Sequence, residues 1–152
     1  TFWLMGGFNG VRPDQLPPLA GIIVVCGTVL WLCRWRLNVI SFSDESARTL
    51  GVDVRAVRAL VVVAATLITT ASVSVGGLIS WVGLVVPHLV RLAVGPDFRR
   101  LLPLAAIAGA IFLLIVDDIA RNLTTMEVPL GILTALVGGP FMLALILRDR
   151  SW

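Results

Sequence analysis

Lysine is absent from this 152-residue chain, histidine occurs once, and charged residues of all kinds make up only 14%. With 58% hydrophobic residues, that scarcity of charge puts the chain outside the soluble globular range. Without lysine, the formal net charge of +3 rests on arginine alone. The arginines stand at the ends of apolar segments and form no basic stripe interleaved with aromatics, so no nucleic-acid partner is expected. Cys26 and Cys33 fall in one apolar segment. On a helix they share a face but lie about 10 Å apart along the axis, too far for a disulfide. They read as small buried packing residues. The lone His88 has no cysteine or carboxylate at ligand spacing, so neither a metal nor a cofactor is expected. The sequence contains no GxxxxGK[ST] loop to cradle phosphates, and so no ATP site of its own.

What is present comes in long apolar blocks. Their length and continuity predict an all-α integral membrane protein and do not fit the alternating pattern of an outer-membrane barrel. Five spans are expected, at about 17–36, 56–75, 78–94, 101–120 and 130–147. The opening stretch, Thr1 to Pro18, is rich in glycine and proline and reads as loop. Pro17 and Pro18 suit the start of the first helix, and Trp31 and Trp35 mark its far interface beside Arg34 and Arg36. Thr66, Thr69, Thr70, Ser72 and Ser74 are small polar residues that let helices approach and hydrogen-bond across the contact. Gly109, Gly131, Gly138 and Gly139 read as sites of close packing and helix breaks. The chain starts without methionine or a signal-like opening, which reads as a fragment lacking upstream helices.

The one long polar island is Ser41 to Arg58, carrying Asp44, Glu45, Arg48, Asp53, Arg55 and Arg58. A bilayer core cannot hold such a row of charges, so the island lies outside the hydrocarbon. If the spans alternate, one side receives ten arginines, at 34, 36, 48, 55, 58, 91, 99, 100, 148 and 150, and the other only Arg12 and Arg121. The positive-inside rule then makes the island, the GPDFRR loop and the C-terminus cytoplasmic. Within the island, Ser43 or Asp44 can cap a short helix with Arg48 at i+3 from Glu45, and Gly51 can end it. A second short piece, Val52 to Arg58, starts with Asp53. The pair reads either as a compact docking knob or as a well-capped solvated loop.

Glu45, Ala47 and Gly51 match the spacing of the EAA-type loop of ABC importer permeases, with Ser46 in place of one of its two alanines. GGLISWVGLVVPHLVRLAVGPDFRRLLP, from Gly76 to Pro103, resembles the signature of FecCD-type permeases. Asp118-Ile119-Ala120-Arg121, Glu127-Val128-Pro129-Leu130-Gly131, Gly138-Gly139-Pro140-Phe141 and the opening Trp3-Leu4-Met5-Gly6-Gly7 are similar as well. The resemblance covers the whole chain. It implies the C-terminal five helices of a ten-helix type II permease (residues 1–152), importing iron–siderophore, haem or cobalamin-type substrates.

It further implies two short cytoplasmic coupling helices within 44–58, with Asp44, Glu45, Ser46, Ala47, Arg48, Leu50, Gly51 and Asp53 engaging a cytoplasmic ATP-binding subunit. Arg121, with Asp118, would dock a periplasmic or lipid-anchored substrate-binding protein. Read from the residues alone, Arg121 is an interface arginine bonded to Asp117 or Asp118. Gly77, Gly83, Pro87, His88, Arg91, Gly131, Gly138 and Pro140 carry the structural or gating motif, with Pro87-His88 read as a kink holding a hydrogen-bonded histidine. The implied partners also include a second permease subunit, as homodimer or pseudo-dimer, and membrane lipid. The location is the bacterial cytoplasmic (inner) membrane, multi-pass. The chain is then a permease and not an enzyme. A proton-coupled secondary transporter relaying through Asp117, Asp118 and His88 is the alternative. A membrane-embedded enzyme ranks below both, because converging catalytic groups are missing.

Overall fold

A computed structural model of the chain describes residues 6–8, 10–79, 81–123 and 130–149. Helices account for nearly all of them. After a 3-10 turn at Pro13–Gln15 come α1 (Leu16–Phe42), α2 (Asp44–Thr49), α3 (Val54–Gly76), α4 (Val82–Val94), α5 (Phe98–Leu123) and α6 (Leu130–Asp149). Three of them, α1, α3 and α5, are long and apolar enough to cross a membrane. At the 1.5 Å helical rise, α4 is only about 20 Å long, short of a bilayer core of about 30 Å.

The main pairings set α1 against α3 and α4 against α5, with α1 also on α5 and α6 on both α4 and α5. Most large apolar side chains point outward: Val24, Val25, Leu32, Leu114, Leu136 and Leu147 are all more than 60% exposed. Lipid or further protein is the only solvent such a surface tolerates. Cys26 and Cys33 are free thiols and the only buried residues of α1, in keeping with their reading as packers.

Four sequence expectations need correction. The first helix does not end at Arg36 but runs to Phe42, because nothing breaks it before the extended Ser43. Its extra turns carry Leu37, Val39 and Ile40 onto a buried cluster at the island. The third apolar segment is helical from Val82, not from residue 78. Gly77, at φ +71°, ends α3, and Trp81, at φ +69°, caps α4 in the left-handed region. Hydropathy cannot see that break, since Leu78 to Trp81 is as apolar as its flanks. Gly138, Gly139 and Pro140 produce no helix break, and α6 is continuous through them. Finally, Thr66 and Ser74 donate back to their own helix, to the carbonyls of Val62 and Ala71, and not across a contact.

Candidate functional site

The island folds into a small, well-capped knob. Ser43 is extended (φ −168°, ψ 150°), and its Oγ accepts the Ser46 amide at 3.0 Å while donating to Ser46 Oγ at 2.7 Å. Asp44 and Glu45 fill the first turn of α2, where the helix dipole favours negative charge. Its far end closes as a Schellman motif. The Val52 amide bonds to the Ala47 carbonyl at 2.9 Å and the Gly51 amide to the Arg48 carbonyl at 3.0 Å. That geometry requires Gly51 at φ +74°. Leu50 is the C-cap residue and is 61% exposed.

Ala47 is the centre of the knob. It is 0% exposed, packed with Val52, Val54 and Val57 and flanked by Leu37, Val39, Ile40 and Val61. The alanine of the motif is thus the contact through which α2 sits on the feet of α1 and α3. The serine at position 46 faces solvent, so its hydroxyl needs no room in the buried cluster.

The second short coupling helix does not exist as a separate element. Asp53 caps α3 directly, its Oδ1 accepting the amides of Arg55 (3.0 Å) and Ala56 (3.1 Å), and the helix continues to Gly76. With Val52 and Val54 buried, no exposed turn is left to interrupt the helix between the island and the membrane. An ion pair not foreseen in the sequence ties the elements together. Arg58 Nη2 bonds both carboxylate oxygens of Asp44, at 2.9 and 3.3 Å. Glu45 and Arg48, three apart on α2, make no ion pair with each other among the described residues.

A second lock holds the GPDFRR loop to the same end of the bundle. Asp97 Oδ1 accepts Asn38 Nδ2 at 2.6 Å and the Arg99 amide at 2.9 Å, while the Phe98 amide donates to Asn38 Oδ1 at 2.8 Å. The Arg99 amide and then Asn38 hold the Asp97 carboxyl below its ordinary value, against a smaller opposing effect of burial. An Asp two residues past Gly95 and just before a helix is a legible cap. Asn38, in the last turns of α1 beyond the expected span, gives no such signal.

At the other end of the bundle, the Gly7 amide bonds to the Gly76 carbonyl (2.9 Å) and the Leu130 amide to the Gly6 carbonyl (3.2 Å). Gly6, at φ +67°, lies so close to Leu78 O that a Cβ there would collide with it. Phe8 packs on the Val116, Ala120 and Leu130 cluster. Beside it, Arg121 Nε donates to Asp117 Oδ2 at 2.8 Å, with Arg121 54% and Asp117 19% exposed. Asp118 is exposed. The ion pair is the one that helix spacing offers, and it leaves more than half of Arg121 open.

Of the motif residues, Gly138 has a packing reason: an added Cβ would collide with Trp81 Cβ and lie 2.7 Å from its Cγ. Gly83 has open space around it. Pro87 lies inside α4, and Arg91 is in its last turn. His88 is exposed and, contrary to expectation, has no hydrogen-bond partner among the described residues; helix α4 turns it outward from the buried Val85 and Val86. The carbonyl of Gly131 accepts from buried Thr134 at 3.1 Å, and Pro140 is exposed within α6. Trp3, Leu4, Met5, Glu127, Val128 and Pro129 fall outside the described residues.

Comparison with known proteins gives a consistent answer. The model of the FecCD transport family matches residues 1–148. A cobalamin import system permease protein from Halobacterium salinarum is 46% identical over 99% of this chain and 40% of its own length. A hemin transport system permease protein from Yersinia pestis is 40% identical over 99% of this chain and 46% of its own. A molybdate import system permease protein from Haemophilus influenzae is 37% identical, covering 97% and 44%. A solved structure of a metal-chelate type ABC transporter in an inward-facing conformation superposes with a TM-score of 0.90 at 37% identity. It covers 97% of this chain and 48% of that one. The chain thus spans less than half the length of each of these relatives.

Proposed function

The chain belongs to the FecCD transport family, and from that premise we propose that it is the C-terminal half of the permease subunit of an ATP-driven importer. Its cargo is a chelated metal of the iron–siderophore, haem or cobalamin kind. It is a multi-pass protein of the cytoplasmic membrane, with the island and the C-terminus on the cytoplasmic side. There the knob from Asp44 to Arg58 receives the movement of a separate ATP-binding subunit, while Arg121 and Asp118 on the opposite face meet a substrate-binding protein. A second permease subunit completes the path.

The observation that carries this reading is the complete burial of Ala47 beneath a helix closed by left-handed Gly51. A solvated loop needs neither. A short helix seated on two long ones passes a push on its outer face directly to the bundle. The proton-coupled alternative is not favoured by the family, and Asp117 is held by Arg121.

A photo-crosslinker at Ser46 of the full-length permease, in membranes active for uptake, tests the reading. Capture of a nucleotide-binding ATPase is expected. Uptake that persists without ATP, follows the proton gradient and shows no such capture would overturn it.

A further inference from the structure

Beside the knob lies a recess of about 280 Å³ lined by Arg48, Val52, Asp53, Val54 and Arg55. We infer that it is a socket for one acidic side chain of the ATP-binding subunit, clasped between Arg48 and Arg55; this inference rests on the coupling role proposed above. The recess is chemically two-sided. Val52 and Val54 are 7% and 4% exposed and give it an apolar floor. Arg48 and Arg55 are exposed, and neither has an ion-pair partner among the described residues. Arg58, by contrast, is engaged by Asp44.

Asp53 also lines the recess and brings one negative charge, which leaves the pair of arginines a net positive lining; its Oδ1 accepts the amides of Arg55 and Ala56, and it makes no ion pair with Arg48 or Arg55 among the described residues. Two guanidiniums over a hydrophobic floor fit a glutamate or aspartate, whose methylene stem packs on the valines while its carboxylate takes forked hydrogen bonds. A lipid phosphate shares the charge but has no methylene stem beside it to pack on the two valines. The two arginines lie on either side of the Gly51 turn, so the clasp also requires the Schellman geometry to hold them in register.

The test uses the full-length permease in nanodiscs and its own ATPase, titrated for binding over a range of salt. Arg48→Gln and Arg55→Gln should each weaken binding about tenfold or more and flatten its salt dependence. An acid-to-arginine change in the ATPase should restore binding to Arg55→Glu. Unchanged affinity and salt slope in both Gln variants would overturn the socket. So would a loss seen only with anionic lipid and absent in zwitterionic nanodiscs, which assigns the recess to a headgroup. The Ser46 crosslink separates the two levels: capture of the ATPase alongside insensitive arginines sinks the socket alone, whereas no capture sinks the coupling role beneath it.

Discussion

Asn38 and Asp97 hold each other across 59 residues of sequence: the amide of one donates to the carboxylate of the other, and its carbonyl caps the same helix through Phe98. One asparagine in α1 thereby satisfies the start of α5, two helices that also pack together. Such reciprocal bonding fixes register more sharply than apolar contact, which tolerates sliding.

From this pair a pH dependence follows. The Asp97 carboxyl is held below its ordinary value, first by the Arg99 amide and then by Asn38. A depressed carboxyl contributes stability that is fully present above its unfolded value, about 3.9, and is lost as pH falls through the lower folded value. The melting temperature in detergent should therefore drop between about pH 4 and the acid limit of the folded value. Asp97→Asn should lower it at neutral pH and blunt the acid-dependent part. Equal acid slopes for the two proteins would contradict the assignment.

Gly51 is constrained by conformation alone, since a Cβ there meets nothing within 4 Å. Gly51→Ala should cost about 1–2 kcal/mol in the left-handed region, Gly51→Val more, and Gly51→Asn the least. Thermal unfolding gives that order. In the assembled importer, Gly51→Val should leave ATP hydrolysis running with little uptake.

Ala47 has no room. Ala47→Leu should cost about 1–3 kcal/mol by overpacking the valine cluster and should lift α2 off its seat. Ala47→Ser, close in size, brings a hydroxyl that finds no water there and should cost about 1–3 kcal/mol if it stays unbonded. Hydrogen exchange at the Val52 amide reports the loss: faster exchange than in the parent is the expected result.

The Asp44–Arg58 pair should matter little to stability. With side chains 47% and 62% exposed, a double-mutant cycle should return about 0–1 kcal/mol and shrink in high salt. A coupling energy well above that would mean that charge, and not Ala47, seats the helix.

Gly138→Ala should destabilise by about 1–3 kcal/mol, because the new methyl meets Trp81 at its Cβ and Cγ. Trp81→Ala in the same chain should recover part of the loss. No recovery would place the strain elsewhere than at the Trp81–Gly138 contact.

Much of this architecture was legible because membrane helices announce themselves by composition and because caps use few residue types. Ser43, Gly51, Asp53 and the helical blocks were all readable in that way. The break before α4 was not, because a tryptophan forced to φ +69° follows no local preference and is held by the tertiary contact at Gly138. Neither were Asn38–Asp97, Asp44–Arg58 or the seat of Gly6 on Leu78, each of which joins parts of the chain that only the packing brings together. The absence of a separate second coupling helix has a simpler reason. The polar stretch from Asp53 to Arg58 looks the same in sequence whether it is a short helix of its own or the charged first turn of a membrane helix leaving the headgroups.

The bond between Gly7 and Gly76 makes α3 a lever with a clasped end. By helical rise, Gly76 lies about 33 Å from Val54, with no proline between to absorb bending. A tilt of only about 5° about the clasp would carry the knob sideways by about 3 Å, while the clasped end hardly moved.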